Sequence, residues 1–362
     1  MQELVNLLHP GGLSRGFADV AHPGEADVSS STPGSEGAST GEISQVHAAF
    51  PKLRRAIDAF DCPEDGPTRS LAELSAAVVG MNAHRLEARY GLLAEALPDL
   101  LAELARASQA VVGGHERRQV EALRALALRA ADGLAFKFGY LDLSSRLIDL
   151  MRHSAALSDD QLLVAAAEYV RTETFFANGD LTAARRLLIR AADEPSLSSL
   201  ASPRVAAAYG SLQMRTAVVA GRMGDRSAAH DHLREAYRAA STVPEGVYHG
   251  TAFGPHSLRI HELAVAAELR DPAGVQRAAA WHPPKELPAE RRSHYYIELG
   301  RVQLELGRHD DAHQCVELAR EAAPQHTREH PQVRSTVATL LRYRPGNSRL
   351  VDLAAWTGAR VF

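Results

Sequence analysis

Apolar residues recur at spacings of three and four along most of the chain from about Ile43, as in "RSLAELSAAVVGMNAHRLEARYGLLAEALPDLLAELARA". This spacing places them on one face of an α-helix. The breaker-rich turn "DCPEDGPTRS" interrupts the pattern, and helical segments then continue nearly to Tyr343. Because no convincing run of alternating β-branched residues occurs, the pattern predicts an all-α chain.

Residues 1–42 lack this periodicity and are rich in Gly, Pro and Ser. Such a composition buries too little apolar surface to offset the entropy lost on ordering. We therefore predict a disordered acidic segment at 1–42 and an N-terminal helical region at 43–110. A repeat domain at 111–345, with a closing helix at 330–343, and a C-terminal tail at 346–362 complete the predicted organisation.

Small residues recur at fixed distances from three glycines. From Gly307 the positions five, nine and twelve residues on hold Ala312, Val316 and Ala319. The same offsets from Gly179 and Gly224 also hold alanine, leucine and alanine. Three matches to one set of offsets indicate an internal repeat.

Helix packing explains these positions. Small residues on facing sides let two antiparallel helices approach, and a larger residue between them fills the groove. A glycine at the end of the first helix accepts a left-handed backbone, and Asp180 or Asp225 just after it can cap the second helix. The repeat is therefore predicted to be a pair of helices.

The pattern resembles the tetratricopeptide repeat, and "YYIELGRVQLELGRHDDAHQCVELAREAAP" carries most of the motif, including Tyr296, Leu299 and Gly300. Weaker copies occur around Gly139 and Arg270, so successive anchors at 139, 179, 224, 270 and 307 lie 37 to 46 residues apart. The usual period is about 34 residues. The resemblance implies an irregular tetratricopeptide superhelix with lengthened helices or connections.

Longer phrases resemble the C-terminal part of actinobacterial transcription regulators of the Xre type. They include "FGYLDLSSRLIDLMRHSA", "AAEYVRTETFFANGDL" and "PEGVYHGTAFGPHSLRIHELAVAAELRD", and the resemblance covers roughly residues 50–345. In that family a short helix-turn-helix domain precedes an array that senses an effector or mediates association. The resemblance implies a regulatory protein.

The N-terminal residues depart from that family. A helix-turn-helix domain needs a compact basic helical trio, whereas residues 1–42 contain one basic residue, Arg15, and six acidic ones. We expect either a sensor-like relative without DNA-binding capacity or a regulator whose DNA-binding domain lies upstream of this sequence. Direct nucleic-acid binding by this chain is not expected.

Helical repeat arrays present a concave surface, lined mostly by first helices, that holds a peptide, a protein segment or a small effector. We expect that surface to include positions on three first helices: Tyr169, Glu173, Phe176, Met214, His294 and Arg301. The alternative for the apolar members is packing between repeats.

A polar interruption, "HGTAFGPHSLRIHE", precedes the copy at Arg270. Its side chains His256, Arg259 and Glu262, together with Thr251, are candidates for holding an anionic effector, and an ordered loop is the alternative. Among seventeen histidines, only the pair His326/His330 was a promising i, i+4 metal pair, and no nearby ligand completes a site. We expect structural or surface roles for these histidines and no metal or other cofactor.

Bulk properties restrict the remaining possibilities. The net charge is −4, and 37 of the 40 basic residues are arginine, which suits carboxylate or phosphate recognition. Two cysteines cannot form a disulfide framework, and no segment is a signal peptide or membrane span, so we expect a cytoplasmic protein. A homodimer stays an open alternative.

The function expected from the sequence is a binding and regulatory protein related to transcription regulators. A DNA-binding regulator, with its helix-turn-helix domain outside this sequence, is the first alternative. An enzyme on a helical scaffold is the second, and no Gly-x-Ser-x-Gly, His-Glu-x-x-His or phosphate-cradling motif supports it.

Overall fold

The computed structural model describes residues 36–111, 113–198, 200 and 202–360. Most of the predicted disordered segment, residues 1–35, lies outside the described residues. Within them the chain is mostly helical, as predicted, and forms seventeen helices and one short β-hairpin. None of the described helices is long and apolar enough to cross a membrane.

The helices of the first half are α1 (Glu36–Asp58), α2 (Leu71–Leu86), α3 (Tyr90–Ala110), α4 (Gly114–Lys137), α5 (Leu141–Leu157), α6 (Gln161–Asn178), α7 (Leu181–Ala192) and the short α8 (Pro195–Ser198). The second half comprises α9 (Pro203–Arg222), α10 (Arg226–Ala240), β1 (Gly246–Tyr248), β2 (Thr251–Phe253), α11 (Pro255–Glu268), α12 (Pro272–Ala279), α13 (Ala289–Glu305), α14 (His309–Ala322), α15 (Pro324–Glu329), α16 (Pro331–Tyr343) and α17 (Ser348–Thr357).

All five repeat anchors lie in the turns between paired helices. The pairs α4/α5, α6/α7, α9/α10, α11/α12 and α13/α14 each pack against one another across their turn. Four anchors are glycines with φ between +74° and +80°. Arg270 holds the same left-handed backbone, with φ +50°, where the glycine is absent.

Two predicted helix caps are confirmed. The Asp180 side chain accepts a hydrogen bond from the backbone N–H of Ala183 at the start of α7. Asp225 does the same for Ala228 at the start of α10. Each cap satisfies a backbone donor that the first turn of a helix leaves free.

The predicted small positions lie where paired helices meet. A Cβ added to Gly300 would lie 3.1 Å from the Cβ of Cys315 on the facing helix α14. Ala312 and Ala319 of α14 are fully buried. The spacing in the sequence therefore reflects close packing of α13 on α14.

The β-hairpin was not predicted. Strands β1 and β2 pair antiparallel, with Val247 opposite Ala252. Phe253 is fully buried and packs on Gly210 of α9, where an added Cβ would lie 2.1 Å from a ring carbon. Because Gly210 has no side chain, Phe253 of the hairpin can pack closely on α9.

Early and late helices of the described residues contact each other. Helix α2 packs on α13. The side-chain oxygen of Gln325, on α15, accepts a hydrogen bond from the backbone N–H of Tyr90 at 2.8 Å. The later helices thus return to the early ones and enclose a central space.

Two boundaries differ from the prediction. Helix α1 begins at Glu36, seven residues before the predicted start of helical structure at residue 43. The segment treated as a C-terminal tail contains α17, which packs on α16 and buries Leu350 and Leu353. Its apolar residues follow the helical spacing, so this helix was recognisable in principle.

Candidate functional site

The inner faces of the helices enclose a cavity of about 230 Å³. Its walls come mainly from α2, α4, α6, α9, α11, α13, α15 and α16, with the hairpin at one side. The lining includes many charged side chains and imidazoles: Arg85, Arg129, Lys137, Arg215, Arg222 and Arg291; Glu173, Glu268, Glu290 and Glu298; and His261, His294, His326 and His330.

Glu290 connects helix α13 to helices α2 and α4 inside this cavity. Its carboxylate accepts a hydrogen bond from Lys137 Nζ at 2.8 Å and lies 3.8 Å from Arg85 Nη1. Burial by itself would raise the pKa of Glu290, but these two cations hold that pKa well below its ordinary value. Glu290 therefore carries a charge that stabilises the contact of α13 with α2 and α4.

A second hydrogen-bond network fixes the tautomer of His326. The Thr327 hydroxyl donates to the backbone carbonyl of Ala319 at 2.7 Å, so the Ser293 hydroxyl donates to Thr327 Oγ1. The Ser293 oxygen then accepts from His326 Nδ1 at 3.2 Å. The unprotonated Nε2 of His326 lies 3.4 Å from Lys137 Nζ and accepts from it.

Asp132 lies beneath the cavity wall. Its carboxylate accepts hydrogen bonds from Arg129 Nη1 at 2.9 Å and Ser144 Oγ at 2.6 Å. Burial, followed by the nearby charge of Glu173, nevertheless raises the pKa of Asp132 to about 7. Asp132 is therefore only partly ionised near neutral pH.

Arg215 is stacked rather than hydrogen-bonded. Its guanidinium lies 4.2 Å from the ring centroid of Tyr169 and 5.6 Å from that of Phe176. The Glu173 carboxylate is 3.6 Å away, an ion pair without a hydrogen bond. Stacking holds the planar group in place and leaves its N–H donors available.

The cavity collects unpaired polar atoms. Of fourteen buried side-chain nitrogen and oxygen atoms without a hydrogen-bond partner among the described residues, seven belong to residues of this lining. They are Arg85 Nε, Arg129 Nε, Arg215 Nε, Arg291 Nε, Thr251 Oγ1, His330 Nδ1 and Gln332 Oε1. Buried unpaired groups are few in native proteins, and each costs about 1–3 kcal/mol. Their concentration around one cavity makes it the candidate binding site.

The four cavity histidines are neutral near pH 7. Burial is the largest cause of the lowered pKa values of all four, and neighbouring cations add to it. The pKa falls to about 4 for His294 and to about 3 for His330. Such low values fit a cavity whose potential is positive.

Four residues predicted for the concave surface lie together in the cavity wall. Tyr169, Glu173 and Phe176 enter from α6, and His294 enters from α13. The position of each on a first helix was the reason for its selection.

Two further predicted residues do not line the cavity. Met214 is fully buried in the core, and its neighbour Arg215 reaches the cavity instead. Arg301 pairs with Glu298 at 3.0 Å and also with Glu305. Glu298 therefore lines the cavity, and Arg301 pairs with the Glu298 carboxylate without lining the cavity itself.

The three remaining predicted residues, all from the polar loop, point elsewhere. His256 stacks on Trp281 at 6.1 Å, and the guanidinium of Arg259 lies 5.6 Å from the same ring. Burial and the neighbouring Glu262 carboxylate raise the pKa of Tyr237. These three side chains do not line the cavity, and of the four candidates in that loop Thr251 alone does.

Several lining residues were missed or undervalued. His326 and His330, for which we expected structural or surface roles, are both in the wall. Their i, i+4 spacing was the one available signal. Arg85, Lys137 and Glu290 lie far apart in the sequence, and nothing local marks their meeting.

No protein-family model, curated protein or solved structure matches this chain. Across the described ranges, no group of three or more His, Cys, Asp or Glu side chains is arranged to hold a metal ion. The site is therefore interpreted from its own geometry.

Proposed function

We propose that this protein is a tetratricopeptide-like regulatory protein that senses a small effector within its central cavity. The observation that carries the proposal is the set of seven unpaired buried polar atoms around one cavity. A bound molecule would supply the missing partners and recover part of the cost of burying them.

The size of the cavity favours a small effector over a peptide or a protein segment. Its volume of about 230 Å³ is below the roughly 300–1,000 Å³ of sites for drug-sized ligands. The contact of α2 with α13 and the inserted hairpin both restrict the space available to a polypeptide. A metabolite-sized molecule is the better match.

The closing contacts offer a route from binding to regulation. Arg85 donates to the backbone carbonyl of Gly250 in the hairpin at 2.5 Å and pairs with Glu290 of α13. Both Arg85 and Glu290 also line the cavity. An effector that binds this wall would change how firmly helix α2 is held, since a ligand shifts an equilibrium by its difference in affinity for the two states.

Ligand retention tests the proposal. Purified protein is incubated with a small-molecule extract of its native cells, separated by gel filtration and denatured, and the released molecules are identified by mass spectrometry. We expect a defined compound at near-stoichiometric amounts.

An Ala264→Trp variant provides the blocked cavity, because Ala264 lies in the cavity wall and an indole would fill much of the space. Ala76→Trp, at an exposed position on α2, is the matched control. We expect retention by the native protein and the control only. Equal retention by Ala264→Trp, or no retained compound, would contradict the proposed function.

A further inference from the structure

Most of the unpaired polar atoms of the cavity are hydrogen-bond donors. Four of the seven are arginine Nε atoms, which only donate hydrogen bonds. Arg85, one of these four residues, is 3% exposed, and Arg129 is 8% exposed. A ligand that pairs with these four donors needs several hydrogen-bond acceptors.

The ion pairs among the lining residues leave an excess of positive charge in the cavity wall. Glu290 faces two cations, Lys137 and Arg85. Among the described residues Arg291 makes no salt bridge, and its Nε has no hydrogen-bond partner, although its charge helps to lower the pKa of Glu290. The other wall carboxylates, Glu173, Glu268 and Glu298, each have an arginine of their own.

Arg215 and Arg291, each with an unpaired Nε, line the same cavity. Arg215 comes from α9, Arg291 from α13, and His261 of α11 lines the cavity as well. After burial, the charge of Arg291 and then that of Arg215 lower the pKa of His261. A positive region with open hydrogen-bond donors thus spans three helices.

The neighbouring wall is apolar. Val218 of α9 and Ile260 and Ala264 of α11 line the cavity on the same helices as Arg215 and His261. An occupant that uses both surfaces combines an anionic group with a small carbon skeleton.

We propose that the cavity holds a small organic oxyanion and that its carboxylate or phosphate group lies between the guanidinium groups of Arg215 and Arg291. Arginine binds both groups through paired N–H donors, and such charge-assisted hydrogen bonds are the strong ones. This inference rests on the proposed function, since it names the class of ligand that the cavity binds.

Three aromatic probes of similar size test the inference by isothermal titration calorimetry with the full chain. Benzoate represents the carboxylates, phenyl phosphate the phosphates, and benzyl alcohol is the neutral counterpart. We expect at least one of the two oxyanions to bind, with benzyl alcohol weaker by about tenfold or more. The oxyanion that binds more tightly then shows whether the anionic group of the ligand is a carboxylate or a phosphate.

Three variants test the position of the anion. Arg291→Gln and Arg215→Gln should each weaken oxyanion binding by about tenfold or more. Arg186→Gln changes the net charge equally on the exposed surface of α7 and should leave binding within about twofold. Arg291 makes no ion pair that its replacement would break, so its variant stays informative if Arg215→Gln unfolds.

Three results would overturn the inference. They are binding of benzyl alcohol as tight as that of the oxyanions, oxyanion binding that is unaffected by Arg291→Gln, and failure of both oxyanions to bind. The proposed function is tested separately. It holds if the native protein retains an effector and the Ala264→Trp variant does not, whatever the result with the oxyanions.

Discussion

Replacing Glu290 by glutamine should destabilise the protein because it removes the one carboxylate between two buried cations. Lys137 Nζ lies 2.8 Å and Arg85 Nη1 3.8 Å from the Glu290 carboxylate, and the three side chains are between 4% and 16% exposed. Glutamine keeps the size of the side chain and loses its charge. The variant therefore reports on electrostatics rather than on packing.

The expected cost follows from the burial of the partners. Removing one member of a buried ion pair costs about 3–5 kcal/mol, since the other charge is left uncompensated. A typical domain is stabilised by only about 5–15 kcal/mol. We expect Glu290→Gln to lower the free energy of unfolding by about 3 kcal/mol or more.

Equilibrium unfolding in urea, followed by circular dichroism, measures this cost. Asp99→Asn is the control, because the Lys52–Asp99 pair has a similar distance, 2.7 Å, but is 50% and 71% exposed. That change should cost less than about 1 kcal/mol. Adding Lys137→Met to Glu290→Gln should recover part of the loss. Equal effects of Glu290→Gln and Asp99→Asn, or no recovery, would refute the reasoning.

Two further predictions concern packing and pH. Gly210→Ala should lower the free energy of unfolding by about 1–3 kcal/mol, because its Cβ would lie 2.1 Å from the ring of Phe253. The control Gly80→Ala, whose Cβ would have nothing within 4 Å, should raise the melting temperature. Equal shifts of the melting temperature in the two variants would contradict this. Because the pKa of the His294 imidazole is lowered to about 4, the unfolded chain binds more protons below about pH 6.5, and the melting temperature should fall from pH 7 to pH 5. Asp132, with a pKa raised to about 7, opposes this trend, so Asp132→Asn should steepen the fall, and a shallower one would contradict the assignment.

Local physics made the helix pairs predictable. Gly179, Gly224 and Gly307 end first helices with a left-handed backbone, and Asp180 and Asp225 cap the next helices. These are interactions between residues a few positions apart, so a short stretch of sequence contains all that they need.

The hairpin was not predicted, because no local pattern marks it. Its strands have three residues each, too few for alternation to be visible, and Gly250 and Gly254 at the turns resemble an ordinary loop. What stabilises it is the fit of Phe253 on Gly210, a contact between distant residues.

The candidate site was predictable only in part. Tyr169, Glu173 and Phe176 follow from the inner face of one helix, and a helix has a fixed period. Met214 lies in the core and its neighbour Arg215 lines the cavity, because one residue turns the side chain by about 100° around the helix axis.

The convergence of Arg85 and Glu290 was beyond the reach of sequence patterns. It depends on the later helices packing back on α2, which results from many helix packings far apart in the sequence. No single residue specifies that arrangement.

The most direct test of the central claim is a crystal structure of the protein with the effector recovered from its native cells. We predict density for a small molecule inside the cavity, with an anionic group hydrogen-bonded to Arg215 and Arg291. Density for the effector at an outer surface, with the cavity filled only by water, would contradict the account.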